Sequence, residues 1–271
     1  MKRSMVWVLA ALCPAIAFWT QAAADDAPFL GTDPASVLAK GEKALQQWLV
    51  FSHGHAGESY NAIQSETEFD YGLSDRLQLA LSLLYNWSRT KPGGEAASSS
   101  SLAGLHGEAV WSVTSADKSP LGIAIAVDPA FNPSSRSLAV RLLLTKYLAH
   151  FENVLDINFE NDWDKDPGGH WQPSSAISFN YGLAHPLNKH WTVAFEFGNE
   201  FAFDHILSLA GLNATAKTFY AGPTIQYECE HATFTLGVQT QLPLSSGNKV
   251  VNGYTADAER WHLAFRVSRA I

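Results

Sequence analysis

Along much of this chain apolar and polar side chains alternate with a period of two, in stretches about ten residues long, and few folds accept that pattern. From Ile63 to Tyr71, Ile63, Ser65, Thr67, Phe69 and Tyr71 share one face, while Gln64, Glu66, Glu68 and Asp70 share the other. A turn at Gly72-Leu73-Ser74-Asp75 follows. Leu77, Leu79, Leu81, Leu83, Tyr85 and Trp87 then line one side of the next segment, opposite Gln78, Ala80, Ser82 and Asn86. Such alternation sends successive side chains to opposite faces of a strand. A face of about ten residues is what a tilted strand needs to cross a bilayer. A soluble β-sandwich alternates in the same way, so the character of the two faces has to decide. The polar faces carry carboxylates in rows, which suits a wet lumen. Trp48, Phe69, Tyr71, Tyr85, Trp87, Trp111, Trp191, Tyr227 and Trp261 fall near segment ends, where interfacial girdles form.

The same reading predicts twelve strands, near 43–52, 63–71, 77–87, 102–114, 121–128, 137–147, 153–160, 174–183, 191–203, 217–228, 233–242 and 259–268. Short connections (Gly72–Arg76, Ser115–Pro120, Leu148–Glu152, Ala184–His190, Cys229–Ala232) alternate with longer ones (Ser88–Ser101, Asn161–Pro173, Asp204–Ala216, Pro243–Ala258). Periplasmic turns and extracellular loops differ in this way. The expected fold is therefore all-β: a transmembrane, antiparallel, up-and-down β-barrel of about twelve strands in the bacterial outer membrane, with both termini in the periplasm.

The N-terminus agrees with export. Lys2 and Arg3 precede an apolar stretch from Met5 to Ala17, and Ala22-Ala23-Ala24 supplies small residues for cleavage before Asp25. The stretch is too short to span a bilayer as a helix, and no window further on approaches 18 uninterrupted apolar residues. Residues 1–24 are read as a signal peptide, 25–42 as a periplasmic lead-in and 43–271 as the barrel. Cys229 alone survives cleavage, so no internal disulfide forms. The formal charge of −8 becomes more negative once Lys2 and Arg3 are lost, which argues against a nucleic-acid partner.

Leu38-Ala-Lys-Gly-Glu42, Gln47-Trp48-Leu49, the run Glu66-Thr-Glu-Phe-Asp-Tyr-Gly-Leu-Ser-Asp-Arg-Leu77 and Phe219-Tyr-Ala-Gly-Pro-Thr-Ile-Gln-Tyr227 resemble segments of uncharacterised Gram-negative barrels. These include the family named for the MetA pathway of phenol degradation and related barrels of unknown function. The resemblance implies an outer-membrane barrel and identifies the class better than the activity. One departure stands out: such barrels usually end on an aromatic residue, and this chain ends Ser268-Arg-Ala-Ile271.

An Arg facing lipid at mid-depth costs about 2–4 kcal/mol, so charged residues on alternating strands belong inside. Glu66, Glu68, Asp70, Glu108, Arg141, Asp156, Glu196, Glu200, Arg260 and Arg266 are thus predicted to line the lumen, together with Gln64, His106, Asn158 and His262. They either border an aqueous path that favours cations or pair into a network that closes it, and barrel size does not choose between these. The working expectation is a channel or facilitator for small solutes. A closed barrel acting through its loops is the alternative, and a lipid hydrolase a more distant one. The serine–histidine pairings available for hydrolysis are Ser52 with His53 and Ser112 with His106, with no Gly-x-Ser-x-Gly elbow. No enzyme activity, cofactor or metal is expected: His53-Gly-His55 and Cys229-Glu-His231 lack further ligands nearby, and Asp162, Asp164 and Asp166 depart from a calcium loop at Pro167 and Pro173. The expected partners are outer-membrane lipid, the barrel-assembly machinery and a small solute.

Overall fold

The computed structural model describes residues 27–55, 58–91, 97–204, 214–247, 250–251, 254–255 and 259–271. The predicted signal peptide lies outside them. Among the described residues twelve long strands form one antiparallel sheet: β1 (Lys43–His55), β2 (Glu58–Ser74), β3 (Leu77–Lys91), β4 (Ala97–Thr114), β5 (Gly122–Phe131), β6 (Ser135–Leu148), β7 (Phe151–Lys165), β8 (Trp171–Pro186), β9 (Trp191–Phe203), β10 (Ala216–Cys229), β11 (Ala232–Gln241) and β12 (Trp261–Ala270). Each pairs with its neighbours in sequence. The sheet closes where β12 pairs with β1, in unbroken register from Ala44↔Ala270 to His53↔Trp261. The unusual C-terminus does not loosen this seam, for the Ile271 N–H still donates to the Lys43 carbonyl at 3.0 Å. Closure matters because lipid offers no hydrogen bonds to an open edge.

All twelve predicted strands are present. Several run further than the alternation suggested. Ser88–Ser101 and Asn161–Pro173, expected as loops, consist largely of paired strand, and the β7–β8 connection is only the tip at 166–170. Their side chains are polar on both faces because these hairpins rise beyond the apolar belt. Backbone pairing, not hydropathy, keeps them extended there.

The outer face is apolar in the middle, with Leu81 58% exposed and Phe195 52% exposed. At the end bearing short turns Trp191 packs on Tyr227, ring centroids 4.7 Å apart. At the other rim Trp171 lies between Arg136 and Lys165, at 4.6 and 4.8 Å. Trp48 does not join these girdles as expected. It stands opposite Arg266 across the β1–β12 seam and faces the lumen, beneath that guanidinium at 4.7 Å.

The largest departure concerns residues 27–42. They do not lead away from the barrel as a periplasmic segment; they enter it from the short-turn end and cross the lumen. Phe29 is buried with Ala27 against Val154, Ala184 and Ala194, and Ala35 against Val110, Ala124, Ala126 and Leu143. Leu38 packs on Ala44 and Ala270. The inward wall is built small to receive this segment. A Cβ on Gly182 would come within 2.6 Å of the Phe29 ring, and one on Gly72 within 2.1 Å of the Ala39 carbonyl oxygen.

The face assignment gives a direct expectation: Leu81→Arg destabilises the folded barrel by about 2–4 kcal/mol, read from denaturant unfolding in lipid vesicles.

Candidate functional site

The N-terminal segment is anchored mainly by side chains of the wall that accept from its backbone. Glu196, 2% exposed on β9, accepts from the Leu30 N–H at 2.8 Å and the Gly31 N–H at 2.7 Å, and from the hydroxyls of Thr32 and Thr224 at 3.2 and 3.1 Å. Four donors compensate the burial of this carboxylate. Further along, Ala35 N–H donates to Thr145 Oγ1 at 2.7 Å and Leu38 N–H to Gln78 Oε1 at 2.8 Å. The same Gln78 side chain donates to Asp70 Oδ1 at 3.3 Å, and Gln46 donates to Asp70 Oδ2 at 2.9 Å. Arg266 donates to the Ala27 carbonyl oxygen.

A charged cluster meets the segment near mid-lumen. Arg141 on β6 donates to Asp33 of the segment, to Asp156 Oδ2 at 2.6 Å and to Glu108 Oε2 at 3.1 Å, with Asp128 Oδ2 at 3.7 Å. One guanidinium thus faces four carboxylates. Desolvation, the largest single influence, acts to raise the Asp33 carboxyl, but the charge and hydrogen bond of Arg141 together with the charges of Arg266 and His106 bring it below its ordinary value.

Among the described residues, cavities remain around the segment. The first, about 250 Å³, is bordered by Glu66, Glu68, His106, Glu108, Arg141 and Arg266. A second of about 250 Å³ reaches Asp128, Asp156, Asn158 and Glu160, and a third of about 140 Å³ lies by Glu196, Glu200 and Tyr220. Of the fourteen residues predicted to line the lumen, ten border these spaces, and Gln64 and His262 do not. Asp70 is buried in the wall with Gln46 and Gln78. Arg260 stands apart at the loop rim, its backbone N–H donating to the Gly54 carbonyl at 2.7 Å. Sequence reasoning missed Asp33, Asp128 and Glu160. Asp128 and Glu160 keep the inward parity of their strands and were legible by it. Asp33 lies outside any alternating segment and carries no such signal.

The serine–histidine pairings proposed from sequence are not assembled. His53 points outward, 2.8 Å from Asn61 Oδ1 and stacked on Trp261, while buried Ser52 faces inward and meets His262 Nδ1 at 3.2 Å. Ser112 and His106 share a face of β4 six residues apart, roughly 20 Å along a strand. Cys229 Sγ donates to the Ala232 carbonyl at 3.1 Å within its turn. Asp166 caps the β7–β8 tip, accepting from the His170 N–H at 2.9 Å, and that bond lowers its carboxyl. The side chain of His55 lies outside the described residues.

This architecture is that of an outer-membrane β-barrel. A family model described as a family of unknown function (DUF6662) matches residues 21–138. No curated protein matches the chain. Among solved structures, an outer-membrane channel from Pseudomonas putida F1 is similar with a TM-score of 0.61 and 11% identity, over 88% of this chain and 98% of that one. The NanC porin gives 0.54 and 10%, over 84% and 100%. The KdgM porin gives 0.52 and 7%, over 84% and 99%. At these identities the likeness is one of fold. The phenol-degradation family is not the one whose model matches, and the likeness to it remains one of motifs.

Charge-assisted bonds such as those of Glu196 each contribute about 1.5–3 kcal/mol, so losing them should release the segment at least tenfold more often. Glu196→Ala, and independently Gly182→Val through its clash with Phe29, should speed proteolysis of residues 27–41 while the barrel band stays intact on unheated gels.

Proposed function

We propose that the chain is an outer-membrane channel for small solutes, with a preference for cations, whose passage is obstructed in this conformation by its own residues 27–41. The single observation that carries the reading is the polar seat of that segment. Its contacts with Glu196, Thr145, Gln78 and Arg141 are ones that water can replace, and cavities remain beside it. A filled structural barrel needs neither a removable filler nor a row of acids along the remaining space. The likeness of fold to channels and porins supports the same reading. It is a non-enzymatic reading. The partners it implies are outer-membrane lipid, the machinery that assembles barrels, and the solute.

A second reading, a permanently closed barrel acting through its loops, is favoured by the apolar burial of Phe29 and Ala35. Planar-bilayer recordings separate the two. A variant lacking residues 27–41 should show discrete openings several-fold larger than the intact chain. Glu66→Gln with Glu68→Gln in that background should reduce its cation preference. A deletion variant that inserts, yet conducts no more than the intact chain, would overturn the channel reading in favour of the closed barrel.

A further inference from the structure

Glu66 and Glu68 lie on the inward face of β2, and His106 faces the lumen from β4, across the intervening β3. One oxygen from each carboxylate and one imidazole nitrogen all lie within 4.8 Å of one another, the one such convergence of three donors among the described residues. His106 Nδ1 stands 3.6 Å from Glu66 Oε1, too far for a hydrogen bond and close enough to share an ion. Glu68 is steered from behind. The Ser82 hydroxyl donates to its Oε2 at 2.7 Å and Gln46 Nε2 to its Oε1 at 3.2 Å, which orients the carboxylate and leaves lone pairs over. Gln46 thereby commits its nitrogen, and its buried Oε1 has no donor. Gln46, Glu66, Glu68 and His106 all border the first cavity, about 250 Å³, which has room for an ion and several waters.

The type of ion follows from the donors. An imidazole with two carboxylates suits zinc and its neighbours in the first transition row, at about 2.0–2.2 Å per bond with water completing the shell. Calcium takes six to eight oxygens and makes no use of the imidazole. Both guanidinium groups that border this cavity are engaged elsewhere: Arg141 is shared among Asp33, Glu108, Asp128 and Asp156, and Arg266 donates to the Ala27 carbonyl oxygen and lies over the Trp48 ring.

We propose that Glu66, Glu68 and His106 form a binding site for a divalent transition-metal ion on the lumen wall, with Ser82 and Gln46 as positioning residues. The site rests on the geometry of the wall and is independent of whether the barrel conducts. Titration of tag-free, refolded protein in detergent with cobalt(II), followed by visible absorption, tests it. One equivalent should bind saturably and be displaced by zinc. His106→Gln and the near-isosteric Glu66→Gln should each weaken binding at least tenfold, since even loss of a supporting contact costs about 10–100-fold, and Ser82→Ala should fall in that range. His262→Ala, a lumen histidine outside the cluster, should bind as the unaltered protein does. Heat-modifiable mobility confirms that each variant is folded. Absence of saturable binding, or undiminished binding by both His106→Gln and Glu66→Gln, would overturn the assignment.

Discussion

Everything in this molecule depends on satisfying backbone hydrogen bonds where no water can reach. In hydrocarbon an unpaired N–H or C=O costs several kcal/mol, so an open sheet edge is untenable and the ladder has to close on itself. The β1–β12 seam does this with ten consecutive paired positions. Once the cylinder is closed, every strand has one lipid face and one inner face, and the period-two pattern becomes an inventory of both. The hydrophobic effect here does not build a core. It builds a belt of exposed Leu, Phe and Val around the outside, and the interior is left to be filled by other means.

The interior is filled unevenly. At the short-turn half the inward positions are small or apolar, such as Ala124, Ala126, Ala184 and Ala194, and the N-terminal segment occupies the space they leave. Towards the loops the wall turns acidic and the cavities open. Glu196 marks the boundary, and its four donors, two backbone N–H groups and a hydroxyl of the segment with the Thr224 hydroxyl of the wall, show how a buried carboxylate is stabilised. Leu30 and Gly31 make no ladder bonds, so their N–H groups need acceptors, and a glutamate on the wall supplies both.

The fold was legible because alternation and turn spacing are local signals that the closed sheet has to obey. Parity also puts Glu66, Glu108, Arg141 and Glu196 on the face that borders the interior cavities. Parity assigns only the face, and here the limits begin. The girdle reading took Trp48 by its residue type, although even numbering on β1 places it inside with Gln46 and Ser52. The lumen segment left a fainter trace, in small inward residues that a water-filled pore has no need of. Its partners could not be read, because the contacts of Asp33 with Arg141 and of Leu30 with Glu196 join residues more than a hundred positions apart with no shared period. The length of the outer hairpins was likewise hidden, since polar side chains on both faces look the same whether the backbone is paired or free.

Charge ties the segment to the properties of the lumen. Arg141 is shared by three wall carboxylates and by Asp33, the one acid of the group that can leave with the segment. With the segment docked, Asp33 draws part of the guanidinium's field, and the lumen is both narrowed and crowded with negative charge. In the proposed channel, withdrawal of the segment would leave Arg141 to Glu108, Asp128 and Asp156, widen the space and admit water, lowering the cost of each remaining carboxylate. Such an opening would relieve like-charge repulsion at the same point where it removes the obstruction, against the loss of the Asp33–Arg141 ion pair. The acid that anchors the docked state also limits how firmly it can be held.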